Sequence, residues 1–307
     1  MKEKAILFGK FKTLIGVVSE PEPGAPAGRA AVVLSNAGLI HRIGPNRVYV
    51  KLARQLAAQG HRVLRFDLSG VGDSQPRPDH LPVEEFTIDD VKQAMDYLAA
   101  AYGDEQFLLM GHCAGAYHSF RTAAVDGRVQ GVVMMNPDGG ETEWIEYDRK
   151  RKLARYYSNY YSQKSLFSKE TWQRIAGGQI SYRNVLKNVA QNMIWNRLTG
   201  LFFKLKQQIK QRLAPPPPAA TDEKLFTMEA ILRRCQAMDG IRVLLIYSEG
   251  ATSLERIQIS MKSALKQLSA AGKLQVQVIR GADHIFSPLE SQTDLIAVIK
   301  NWTAARS

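Results

Sequence analysis

The sequence predicts an α/β protein: a mostly parallel central sheet flanked by helices and interrupted by one long helical insert. Three observations predict it. Apolar runs of strand length alternate with stretches of helical spacing in both the first and the last third of the chain. Between them, over residues 139–224, strand-like runs stop and the composition turns aromatic and basic. At Gly111–Gly115 a buried-strand pattern passes through a glycine-flanked turn directly into a helical pattern.

Taken in order, Ala30–Leu34 and Arg62–Phe66 read as strands, with Arg47–Gln59 at helical spacing between them. Ile88–Ala101 reads as a helix, Phe107–Met110 as a strand, Tyr117–Val125 as a helix and Gly131–Met135 as a strand. Near-continuous apolar strands separated by helices argue for parallel pairing with both faces covered. The insert follows the fourth of these strands. Within it Leu198, Leu201, Phe202, Leu205, Ile209 and Leu213 recur among lysines, the pattern of an amphipathic helix. Pro215–Pro218 then makes a stiff spacer. Alternation resumes from Glu229, with Val243–Tyr247 a strand, Leu254–Ala271 a helix, Leu274–Ile279 a strand and Asp294–Thr303 a closing helix. The expected organisation is a core of residues 1–138 and 225–307, and a helical, strongly basic cap of residues 139–224 ending in the proline-rich linker.

Apolar residues make up 45% of the 307, enough for a full core and against wholesale disorder. The two cysteines, Cys113 and Cys235, make no disulfide framework and suit a reducing compartment. Met1–Phe11 carries Lys2, Lys4 and Lys10 without the apolar run of a signal segment, and no stretch approaches the about 20 apolar residues that cross a bilayer. A cytoplasmic protein is expected. The net charge of +12 is concentrated between Arg149 and Leu213, where Glu170 is the only acid. Such a segment fits an acidic partner: a carrier protein, a CoA-like phosphate or an anionic membrane surface. A solvated helical face accounts for it equally well. Its tyrosines and tryptophans read as cap core rather than base-stacking platforms, so nucleic acid is not an expected partner. No metal-ligand spacing occurs, and the glycine loops at Gly70 and Gly111 do not match a phosphate-binding loop, so neither metal nor cofactor is expected.

The chemistry centres on Gly111-His112-Cys113-Ala114-Gly115. A strand that turns through G-x-C-x-G into a helix presents its middle residue, exposed, at a helix N-terminus. The turn is too tight for side chains at the flanking glycines. Backbone N–H groups and the helix dipole there favour a thiolate, and the N–H of Ala114 can donate to an oxyanion. The alternative is that Cys113 is a small buried apolar residue.

Further motifs are Asn36-Ala37-Gly38-Leu39-Ile40-His41-Arg42-Ile43-Gly44-Pro45-Asn46-Arg47, Arg65-Phe66-Asp67-Leu68-Ser69-Gly70-Val71-Gly72-Asp73-Ser74, Asn136-Pro137, Ser248-Glu249-Gly250 and Asp283-His284, with Trp172 and Gly178-Gln179-Ile180 in the insert. With the elbow, these resemble α/β-fold hydrolases of the serine-aminopeptidase-like group, most nearly those associated with exosortase and exopolysaccharide loci. The resemblance covers most of the chain and implies an α/β-hydrolase fold with a Cys nucleophile. It implies that His284 is the general base and that Gly38 or Ala37 supplies the second oxyanion N–H. It makes Glu249 or Asp138 a candidate for the acid, with a Cys–His dyad as the third alternative. His41 and Arg42 either face the pocket or hold their loop, and His112 adjoins the nucleophile. Two positions depart from the pattern: Ala114 stands where Ser is expected, and Ala251 where Asp is expected.

The expected activity is acyl transfer through a Cys113 acyl-enzyme, acting on a thioester or ester as a thioesterase, esterase or acyltransferase, with the acyl group carried on acyl-carrier protein or CoA. An amidase or peptidase of the same fold is the alternative, though amide leaving groups need more acid–base help than a site without an acid provides. A binding or scaffold protein impaired at position 251 is the alternative of another class.

Overall fold

The computed structural model describes residues 1–26, 28–137, 228–237, 240–251, 253–254 and 262–305. The chain divides into two units, Met1–Gly139 with Leu225–Ser307, and Gly140–Lys224. The predicted insert helix, the proline spacer and Asp138 lie outside the described residues.

The strands are β1 (Glu3–Phe8), β2 (Leu14–Ser19), β3 (Ala31–Ser35), β4 (Val63–Phe66), β5 (Phe107–His112), β6 (Val129–Met135), β7 (Arg242–Ser248) and β8 (Leu274–Ile279). The described helices are α1 (Val48–Ala58), α2 (Val83–Tyr102), α3 (Ala114–Ala123), α4 (Met228–Ala237), α5 (Lys262–Ala270) and α6 (Leu289–Ala304). The strands form one sheet in the order β1-β2-β4-β3-β5-β6-β7-β8. β1, β2 and β4 pair antiparallel, and every pair from β4 to β8 is parallel.

The N-terminal hairpin β1–β2 is an addition to the strands expected from the sequence. Ile6 and Phe8 alternate inward on β1, as do Leu14 and Val18 on β2. Gly9 and Lys12 take positive φ in the turn, and Lys12 N–H closes it onto Gly9 O at 3.1 Å. Each strand is only six residues long, β1 opens with Glu3 and Lys4 and β2 is interrupted by Gly16, so the pattern is weak until the two are paired.

Two apolar layers cover the sheet. On one face Val48, Leu52 and Leu56 of α1 pack with Leu295, Ile299 and Trp302 of α6. On the other, Val91, Met95 and Leu98 of α2 pack with Phe120 of α3, Cys235 of α4 and Leu268 of α5. β3 to β7 therefore read as continuous apolar runs, as strands covered on both faces do. α2 starts five residues before the predicted helix. Pro82 precedes it, and Glu84 and Glu85 in its first turn favour the positive end of the helix dipole.

Because β3 to β8 are parallel, their carboxyl ends share one sheet edge. The loops that follow collect there Asn36–Ile40, the Asp67–Ser74 turn, Cys113, Asn136, Glu249 and the stretch Gly281–His284, the usual place for a site in such a sheet. Among the described residues no helix is long and apolar enough to cross a membrane.

Candidate active site

β5 ends at His112 and α3 begins at Ala114, so Cys113 alone makes the turn. Its φ is 53° and ψ −116°, a region that L residues rarely occupy. The turn is held on both sides: Cys113 N–H donates to Met135 O at 2.9 Å, and Ala116 N–H donates to Cys113 O at 3.1 Å. A Cβ on Gly111 would stand 2.2 Å from the Gly115 carbonyl, and a Cβ on Gly115 would stand 2.2 Å from Asn36 O. Both glycines are thus dictated by sterics. The second contact also sets the loop after β3 directly against the first turn of α3. Cys113 is partly exposed and in no disulfide. Ala114, as the first residue of α3, has an N–H with no intrahelical acceptor, as an oxyanion donor requires.

The candidate oxyanion loop is a tight turn. Ala37 and Ile40 form an isolated bridge, Ile40 N–H donates to Ala37 O at 3.1 Å, and Gly38 takes φ 59° at the exposed tip. Ala37 is buried. The turn rests on a polar network around Asp67, which is fully buried. Asp67 accepts from Arg42 N–H at 2.5 Å, from Asp73 N–H at 3.1 Å and from Asn36 Nδ2 at 3.3 Å, and it pairs with the Arg42 guanidinium. Arg42 also reaches Asp73 at 2.7 Å. Asn36 ties the network to both loops, donating to Ile40 O at 2.9 Å and accepting from Leu68 N–H at 2.6 Å. Arg42 therefore holds its loop. His41 is exposed, with its Cβ against Gly72, at the rim of the same network.

Tyr49 joins this loop to the elbow from beneath. Its buried hydroxyl donates to Ser35 O at 2.9 Å and accepts His112 N–H at 2.8 Å. Burial, opposed by the His112 hydrogen bond and reinforced by the nearby Cys113 charge, raises the phenol pKa well above its ordinary value. The hydroxyl remains a donor across the working pH range.

The candidate base stands on the loop after β8. Glu249 N–H donates to Ile279 O at 3.0 Å, and a Glu249 carboxylate oxygen accepts Gly281 N–H at 2.7 Å. The carbonyl of His284 accepts two hydrogen bonds, from His112 Nε2 at 2.6 Å and Asn136 Nδ2 at 2.7 Å. The rings of His112 and His284 meet edge to face with centroids 4.9 Å apart. The Asp283 carboxylate accepts Ser287 N–H at 2.7 Å, and that bond holds its pKa below the usual range. The His284 side chain itself is exposed.

Of the residues singled out by sequence, the shared sheet edge carries Cys113, Ala114, Ala37, Gly38, His41, His112, Glu249 and His284, while Asp138 lies outside the described residues. Tyr49 and the amide of Asn136 escaped sequence reading as site residues. A tyrosine inside an amphipathic helix reads as core. Asn136 carries a fainter signal: an Asn closing an apolar strand tolerates the left-handed φ of 44° found there. Among the described residues no cluster of three or more His, Cys, Asp or Glu side chains could hold a metal ion.

The comparisons agree with this architecture. No curated protein matches the chain. Similar solved structures include XC6422 from Xanthomonas campestris, an α/β serine hydrolase without lid, at 15% identity over 99% of this chain and 94% of that one, with a TM-score of 0.51. A thermophilic esterase from Thermogutta terrifontis has 17% identity over 99% of each chain and a TM-score of 0.54. A dienelactone hydrolase from Anabaena variabilis has 15% identity over 99% and 97%, and a TM-score of 0.52. At such identities the likeness concerns the fold. Residues 38–287, from the exposed turn after β3 to the loop that carries His284, match the alpha/beta hydrolase fold family, and the chain belongs to it.

Proposed function

We propose that the protein is an acyl-transfer enzyme acting on ester or thioester substrates through a Cys113 acyl-enzyme, with His284 as its general base. The observation that carries this reading is Cys113 itself: partly exposed, at φ 53°, at the first turn of α3, on the sheet edge that also bears the His284 loop. In the first half-reaction His284 takes the thiol proton, and the thiolate attacks the substrate carbonyl carbon. The N–H of Ala114 and that of Ala37 or Gly38 stabilise the oxyanion. Collapse expels an alkoxide or thiolate, which receives the proton from the imidazolium. In the second, His284 deprotonates water or an acceptor hydroxyl, amine or thiol, whose attack on the thioester releases the acyl product and returns Cys113.

A thiol suits this site better than a hydroxyl. Ala251 stands where the acid of the family pattern is expected, and Glu249 holds the base loop by its backbone at Gly281. A thiol needs far less activation near neutral pH than a serine does. Two of the structural neighbours are named as an esterase and a dienelactone hydrolase, which fits an ester-type substrate. The motif resemblance narrows the proposal to the exosortase- and exopolysaccharide-associated hydrolases. The bases between Arg149 and Leu213 fit an acyl group delivered on acyl-carrier protein or CoA.

Turnover of a short acyl-CoA, a p-nitrophenyl ester and a peptide anilide tests the assignment. The first two are expected to turn over, with a loss of at least about 10³-fold in Cys113→Ala and in His284→Ala. The anilide is expected to remain intact. Anilide hydrolysis at a comparable rate would favour an amidase, and loss in neither variant would remove the acyl-enzyme.

A further inference from the structure

We infer that His112 and Asn136 are positioning residues for His284, which they fix by its main-chain carbonyl rather than by its ring. The inference rests on the proposed pairing of His284 with Cys113.

The geometry is specific. A carbonyl oxygen has two lone pairs and can only accept. His284 O meets His112 Nε2 at 2.6 Å and Asn136 Nδ2 at 2.7 Å, so both nitrogens carry the proton and both lone pairs are used. The donors come from two different strand ends. His112 is the last residue of β5, immediately before the nucleophile. Asn136 follows β6, is fully buried, and spends its other amide atom on β7: Asn136 Oδ1 accepts Ser248 N–H at 2.7 Å. Its own N–H donates to Ile246 O at 2.7 Å. One side chain therefore locks the ends of β6 and β7 to the base loop, and its neighbour locks the elbow to the same atom. The carbonyl of the next residue, Ile285, accepts from Asn46 Nδ2 at 3.0 Å, which extends the restraint.

Such a clamp has a use here. In the Ser-His-Asp template a carboxylate orients the imidazole and fixes its tautomer. This chain has alanine at position 251. With the His284 backbone pinned, only its two side-chain torsions remain to be set, so the main chain shares in orienting the imidazole.

The test uses the reactivity of Cys113 rather than turnover: the pH dependence of its alkylation by iodoacetamide, followed by peptide mass. The buried Cys235, whose thiol burial pushes up to about 12, reports whether each variant stays folded by staying unreactive. His112→Phe keeps the edge-on ring packing and removes the donor. His112→Gln returns an amide donor at a similar reach. Asn136→Asp keeps the acceptor for Ser248 N–H and the tolerance of positive φ but removes the donor to His284 O.

His284→Ala sets the limit, with Cys113 alkylation at pH 7 falling and its profile moving up towards that of an ordinary thiol. His112→Phe and Asn136→Asp are expected to move it the same way, by at least about tenfold in rate at pH 7, since small displacements of a catalytic group are costly. His112→Gln is expected to recover most of the loss. An unchanged profile in His284→Ala would overturn the base assignment itself. A shift in His284→Ala with wild-type profiles in the folded His112→Phe and Asn136→Asp would overturn the clamp. Should Asn136→Asp expose Cys235, the His112 pair decides: failure of Gln to rescue overturns the inference.

Discussion

Cys113 holds a positive φ that costs a non-glycine residue about 1–3 kcal/mol, and the two glycines beside it leave no room for relaxation. The contact at Gly115 is with backbone oxygen on both nearby sides, Asn36 O and Ser35 O, so a methyl group cannot be absorbed by a side-chain rotation. Gly115→Ala is expected to destabilise the fold by about 3 kcal/mol, read from urea denaturation, and to separate the loop after β3 from the elbow. Wild-type stability in that variant would mean that the loop moves freely. This part of the site was legible in the sequence because it is local: G-x-C-x-G has one steric solution between a strand and a helix. The partners of His284 O were not. His112 and Asn136 lie far from His284 in sequence, and nothing in either residue's neighbourhood says which carbonyl it will meet. The same holds for Tyr49, whose hydroxyl links two loops only once α1 has packed beneath them.

At the scale of elements, α3 does more than present the nucleophile. It carries His118, which burial first, and the Arg121 charge second, push down to about 4. An ordinary unfolded histidine titrates near 6.5, so between about pH 4 and 6.5 the unfolded chain binds a proton that the folded one refuses. Stability is therefore expected to rise with pH across that window, by at most about 3 kcal/mol from this group, and to be lost as pH falls towards 4. His61, lowered mainly by burial as well, acts in the same direction. Denaturation midpoints of the wild type and His118→Gln from pH 4 to 7 check it: the variant is expected to show the shallower slope, and parallel curves would contradict the assignment. Among the elements, the parallel strands and α1 were legible because burial on both faces writes long apolar runs. The β1–β2 hairpin was not, because its alternation is short and acquires meaning only against β4. Helix starts were misjudged for a related reason. α3 begins right after Cys113 and α2 at Val83, in turns whose residues belong to the site or to a cap rather than to the apolar stripe.

For the whole molecule, the order β1-β2-β4-β3-β5-β6-β7-β8 brings the ends of six parallel strands to one edge and so assembles residues from across the chain. That convergence was legible as a fold class, since alternating strands and helices leave few topologies. The identity of the acid was not, because it depends on which carboxylate the folded loops turn inward; Glu249 faces Gly281 N–H, and Asp283 faces Ser287. The proposed chemistry stands or falls with Cys113 as the carrier of the acyl group. Intact-mass spectrometry of the full chain and of Cys113→Ala, after incubation with a panel of acyl thioesters, decides it. A mass increase of one acyl group is expected in the original chain and none in the variant. An adduct that persists in Cys113→Ala, or no adduct and no turnover while Cys113 still reacts with small alkylators, would contradict it.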